Sequence, residues 1–146
     1  MSGERDAGGS MPSITAPSQA ALIQAALEAR GRAYAPYSHF AVGAAVMARD
    51  GRIFAGVNVE NASYPLTVCA ERNAIAAAVL GGAREIVAVA VVTSASPPSA
   101  PCGGCRQVLV EFAREATVVL ANPQGERIET TLSELLPRAF RGEELP

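Results

Sequence analysis

Three cysteines carry the chemistry open to this sequence: Cys69, Cys102 and Cys105, with none left over. Cys102-Gly103-Gly104-Cys105 follows a proline-rich stretch and opens a run of helical period. Residues three apart on a helix lie about 60° apart around the axis and about 4.5 Å along it, so both sulfurs can reach one ion. The first-turn N–H groups have no intrahelical partner, and the positive dipole end lowers thiol pKa values. Cys69 stands at the start of a second expected helix, so two helix mouths supply the whole set. An odd cysteine count without a basic-then-apolar leader argues against a disulfide framework and for metal binding or catalysis. Taken alone, the CxxC spacing also reads as a redox pair or as two small buried residues; the matching Cys69 favours a metal. Zinc suits thiolates, and three protein ligands keep a fourth position open for water. A structural site would close with a fourth ligand. The one histidine, His39, is the candidate to close it, but it lies far from either cysteine helix in the sequence.

Cys69-Ala70-Glu71 puts a carboxylate two residues beyond a ligand, suited to take a proton from metal-bound water. Residues two apart inside a helix do not share a face. The role therefore requires Cys69 at the helix mouth with Glu71 bending back; otherwise Glu71 is a first-turn glutamate favoured by the dipole. Three thiolates on a doubly charged ion leave one excess negative charge, which raises the pKa of bound water above the roughly 7 seen with neutral ligands. Arg72, beside Glu71, is the cation best placed to offset that charge; its alternative is a solvated surface arginine.

These groups need a scaffold. The chain has 146 residues, one domain's worth, and 49% apolar against 18% charged residues excludes bulk disorder. A net charge of −2 lacks the basic surplus that tight binding to a phosphate backbone requires. No apolar run approaches the roughly 18 residues of a membrane span. The expectation is a soluble, cytoplasmic protein. Gly3, Gly8, Gly9, Ser10, Pro12 and Pro17 predict a flexible tail over 1–17, ahead of a single catalytic domain over 18–146.

Ser18 reads as the N-cap of a helix ending at Gly31, with Leu22, Ile23, Ala26 and Leu27 facing the core. Phe40–Ala48 and Arg52–Val59 read as strands joined at Asp50-Gly51. The spacing predicts an irregular stretch over 61–68, a helix over 69–80 and a central strand over 86–93 buried on both faces. A loop over 94–101, a helix over 102–114, strands at 117–121 and near Ile128, and a closing helix over 132–140 complete the order. The pattern predicts an α/β fold, a five-stranded mixed sheet flanked by helices.

Cys69-Ala70-Glu71 with Pro101-Cys102-Gly103-Gly104-Cys105 resembles the signature of zinc-dependent nucleobase and nucleoside deaminases. The first ligand is Cys rather than His, which points away from the polynucleotide editors. Tyr37-Ser38-His39-Phe40-Ala41-Val42-Gly43-Ala44-Ala45, Asn58-Val59-Glu60-Asn61-Ala62-Ser63-Tyr64-Pro65 and Cys105-Arg106-Gln107 are similar to segments of the short-chain, tetrameric cytidine deaminases. Glu134-Leu135-Leu136-Pro137 with Phe140 fits that family's C-terminal segment, so the resemblance covers roughly residues 18–141.

The resemblance implies a cytidine deaminase-like α/β/α sandwich and a hydrolase that converts cytidine and deoxycytidine to uridine and deoxyuridine with release of ammonia, in pyrimidine salvage. It implies one zinc per chain on Cys69, Cys102 and Cys105, a zinc-bound hydroxide as nucleophile and Glu71 as proton shuttle. The backbone around Ala70 would contact the base, Phe40 would pack on the pyrimidine, and Asn58 and Glu60 would bond the ribose 3′-hydroxyl. Ala62, Tyr64 and Phe140 would serve a neighbouring subunit's site in a homotetramer, and Arg72 would compensate the zinc thiolates. Two other readings are a blasticidin-type aminonucleoside deaminase, which should lack the Asn58–Asn61 ribose grip, and a non-catalytic structural zinc module. Nucleic acid and membrane are not expected partners.

Overall fold

The computed structural model describes residues 14–146; of the expected tail, residues 1–13 lie outside the described residues. The first helix, α1 (Ala16–Arg30), starts earlier than the sequence suggests. Thr15 Oγ1 accepts the Ser18 N–H at 3.2 Å, making Thr15 the N-cap in place of Ser18. Pro17 falls in the first turn, where a missing N–H leaves no bond unmade. The last residues assigned to the tail are therefore capped helix.

Five strands form one sheet: β1 (Gly43–Ala48), β2 (Ile53–Val57), β3 (Ile86–Val92), β4 (Thr117–Ala121) and β5 (Arg127–Thr131). Their order is β2-β1-β3-β4-β5, and only the β3–β4 pair is parallel. The β1–β2 hairpin runs from Gly43↔Val57 to Met47↔Ile53 and turns at Gly51, whose φ of 95° a side chain would resist. Helices α2 (Ala70–Leu80) and α3 (Gly103–Ala113) join β2 to β3 and β3 to β4, and α4 (Leu132–Leu135) follows β5.

Alternation along β1 and β3 serves both faces at once. Ala45, Met47, Ala88, Ala90 and Val92 meet Leu22 and Ala26 of α1. Ala44, Val46, Val89 and Val91 share the opposite core with Ala74, Ile75, Leu109 and Ala113 of α2 and α3. The expected mixed sheet between helical layers is thus present, with β3 at its centre. Among the described residues, no helix is long and apolar enough to cross a membrane.

Three boundaries differ from expectation. The first strand begins at Gly43, not Phe40, because the Asn58 side chain takes the Val42 N–H (2.9 Å) and the Phe40 carbonyl (2.8 Å). The second ends at Val57, and Val59 instead exchanges two backbone bonds with Val68. The closing helix stops at Leu135 rather than Phe140: Pro137 follows, and Arg138 adopts a φ of 57°.

Helix α2 lies directly on the main chain of β2. A Cβ on Gly56 would sit 2.6 Å from the Ala70 carbonyl oxygen and against the Ala74 nitrogen. Gly56→Ala is expected to lower stability by about 1–3 kcal/mol through overpacking. A denaturant midpoint equal to that of the parent chain would show that α2 is not seated on this contact.

Candidate metal centre

The two cysteine helices begin side by side. Cys69 is the N-cap of α2 and Cys102 the N-cap of α3, both in extended conformation, and Cys105 lies within the first turn of α3. The ligand atoms of Cys69, Cys102 and Cys105 all lie within 4.8 Å of one another. Tetrahedral zinc with Zn–S bonds of about 2.3 Å requires sulfurs roughly 3.8 Å apart, so the trio fits that ion. Among the described residues no fourth donor joins the group, and His39 is exposed on a separate loop with a φ of 58°.

The sulfurs are electrostatically unequal. The Cys69 thiol is held down to about 5, chiefly by a hydrogen bond from Cys105 and then by Arg72. Cys105 is pushed up, first by that same bond and then by burial. Arg72 Nη2 lies 3.5 Å from Cys69 Sγ, while its buried Nε has no hydrogen-bond partner. The arginine thus points its charge at a ligand sulfur instead of solvent.

Glu71 resolves the question of facing. Because Cys69 is the N-cap, with an extended rather than helical backbone, the rule that separates positions two apart inside a helix does not apply. Glu71 is 4% exposed, and its Oε1 lies 3.7 Å from Cys105 Sγ. Burial pushes its carboxyl above the ordinary range.

Cys69, Cys102, Cys105 and Glu71 form the floor of a cleft of about 270 Å³, which Arg72 does not line. Phe40, Asn58, Glu60 and Ala70 line it as the sequence suggested, and so do Val91 and Thr93 at the end of β3 and Ser99 and Ala100 before Cys102. The last four had no assigned role. Their place beyond a central strand and beside a ligand is the signal that could have found them, since open α/β sheets bind ligands past strand ends. Glu60 accepts the N–H groups of Tyr37 (3.0 Å) and Ser38 (3.1 Å) and the Ser38 hydroxyl. Those bonds, the hydroxyl's first, hold its carboxyl below the ordinary range.

Ala62, Tyr64 and Phe140 do not line this cleft. Tyr64 stacks edge-on against Tyr37 with centroids 6.1 Å apart, beside a neighbouring cavity of about 360 Å³. Phe140 borders a separate cavity with Val110 and Arg114.

A thiolate trio at paired helix mouths, with a buried acid beside it under an open cleft, defines a zinc site built for hydrolytic chemistry. Known proteins agree. Residues 17–121 match the family model described as the cytidine and deoxycytidylate deaminase zinc-binding region. A cytidine deaminase of Halalkalibacterium halodurans is 51% identical over 125 residues, which span 85% of this chain and 95% of the relative. One from Sporosarcina psychrophila is 49% identical over 125 residues, 85% and 92% of the two chains. The crystal structure of cytidine deaminase from Burkholderia pseudomallei superimposes with a TM-score of 0.81 at 50% identity, covering 87% of this chain and all of that one. The chain belongs to the cytidine and deoxycytidylate deaminase family.

Proposed function

We propose that this chain hydrolyses cytidine and deoxycytidine to the corresponding uridines and ammonia, with Cys69, Cys102 and Cys105 holding one zinc ion. Zinc, when bound, supplies Lewis acidity that lowers the pKa of water. Glu71 takes the proton of the attacking water and passes it to the pyrimidine N3, then takes the proton of the new C4 hydroxyl and delivers it to the departing amine. The C4–N bond breaks and the new C4–O bond becomes the carbonyl of the product. Phe40 covers the apolar ring face. Asn58 still has one amide proton and one lone pair after bonding Phe40 and Val42, enough to grip a hydroxyl. Glu60, fixed by Tyr37 and Ser38, offers the matching acceptor. The backbone at Ala70 supplies contacts to the base.

The observation that carries this reading is the buried Glu71 carboxylate facing a ligand sulfur at the floor of the cleft. Its test is the loss of cytosine absorbance when purified protein meets cytidine, abolished by chelation and restored by zinc. No turnover on cytidine with zinc present, or turnover only on blasticidin, overturns it.

Arg72→Gln should lower kcat by about tenfold and move the pH–rate profile, because Cys69 loses its cationic partner. Zinc affinity and a pH profile both equal to the parent's would make Arg72 a bystander.

We also propose a homotetramer in which Ala62, Tyr64 and Phe140 complete a neighbour's cleft. Tyr64 and Phe140 are 71% and 54% exposed, and exposed Tyr37 packs against Tyr64. Sedimentation as a monomer at assay concentrations contradicts this arrangement. Three free thiols suit a reducing compartment, and we assign the enzyme to the cytoplasm and its role to pyrimidine salvage; fractionation of cells would check the first.

A further inference from the structure

The loop over 94–101 leaves β3, lines the cleft with Ser99 and Ala100, and delivers Cys102. Its far end is held by Arg106, whose Nε donates to the Pro101 carbonyl at 2.8 Å. Its near end is held from the turn between β4 and β5. Asn122 Nδ2 donates to the Ala95 carbonyl (3.0 Å) and to Glu126 Oε1 (2.6 Å). Asn122 Oδ1 accepts the N–H groups of Gln124 and Glu126, both at 3.1 Å. Every bonding position of that amide is used, and the residue is 5% exposed. The same Glu126 oxygen accepts the Ser96 hydroxyl at 2.6 Å, so consecutive loop residues are tied to one turn. The Ser96 and Asn122 bonds hold the Glu126 carboxyl below its ordinary range.

We infer that Asn122 and Glu126 are positioning residues: they fix the 94–101 loop from behind, and so set the cleft wall at Ser99 and Ala100 and steady the approach to Cys102. Neither lines the cleft or belongs to the thiolate trio. A loop tied at only one end spends part of its time away from the binding-competent shape, and apparent affinity falls by that fraction. Once substrate is bound the loop is ordered, so the loss falls on KM rather than kcat. The catalytic half of this inference rests on the deaminase reading; the metal half does not.

The test uses the full zinc-loaded chain and compares Glu126→Ala, Ser96→Ala, Asn122→Ala and Glu126→Gln with the parent. Glu126→Ala should raise KM for cytidine about five- to tenfold with kcat within about twofold. It should also speed zinc release to a chromogenic chelator by about threefold. Glu126→Gln keeps an oxygen that accepts both bonds and should stay within about twofold of the parent in all three readouts. Glu126 and Ser96 are exposed, so those variants carry the test if Asn122→Ala fails to fold. A lowered melting temperature with KM and zinc release unchanged would overturn the inference, leaving the turn a stability feature only. So would equal losses in Glu126→Gln and Glu126→Ala. Should the parent not act on cytidine, the functional reading fails while the zinc-release comparison still decides the clamp.

Discussion

Glu71→Gln is expected to yield a folded protein that binds one zinc per chain and turns cytidine over about 10²- to 10⁴-fold more slowly than its parent. Glutamine has the shape of glutamate and fits the same buried position, 4% exposed, so the cleft keeps its form. What it lacks is a site able to accept a proton and return it. Burial holds the Glu71 carboxyl above its ordinary range, so the folded state binds more protons than the unfolded one between the two values. Stability from this residue is therefore lost as pH rises through that window, and the metal-free glutamine variant should be at least as stable as its parent at neutral pH. Zinc content, melting temperature and kcat together make the check. A variant that keeps more than a tenth of the parent's kcat would remove Glu71 from the proton-carrying role.

Cys69→Ala should cost more than about 10³-fold in activity at zinc concentrations that saturate the parent, with zinc content well below one per chain. Only Cys102 and Cys105 remain of the three sulfurs, too few to hold zinc as the full trio does. Arg72 also loses its sulfur partner. A pH experiment on metal-free protein isolates the cause. The Cys69 thiol falls from an ordinary value of about 8.5 to about 5 in the fold. Between those values the unfolded chain holds the proton that the folded chain has released, so stability rises with pH across the window and is lost as pH drops through about 5. Measured on a Glu71→Gln background, which removes the opposing carboxyl, this rise should be present with Cys69 and absent with alanine. A pH dependence identical in both chains would show that Cys69 is not ionised by its surroundings.

Local chemistry made the centre legible. A cysteine before an alanine-rich run, and two more around a glycine pair after prolines, mark helix mouths, and β3 announces itself by unbroken β-branched and alanine residues. The unread parts depend on long-range bonds. Ser18 is by type a better cap than Thr15, and only the Thr15 Oγ1 bond selects the threonine. Phe40 to Val42 have strand composition, but a side chain from sixteen or eighteen positions on, Asn58, occupies the backbone groups a strand would pair. The tie from Asn122 to Ala95 spans twenty-seven positions and leaves no periodic trace. Glu71 was ambiguous until Cys69, two positions back, proved to be the extended N-cap of α2.

The main-chain seat at Gly56 has a bearing on redesign. Helix α2 is indexed to the sheet by contact of backbone with backbone, so its registry does not depend on the side chains that shape the ligand chamber. A library varying Phe40 or Val42 to admit bulkier heterocycles would move one wall while the helix that begins at Cys69 stayed in alignment. The permissive wall and the unforgiving anchor are separate parts of this scaffold.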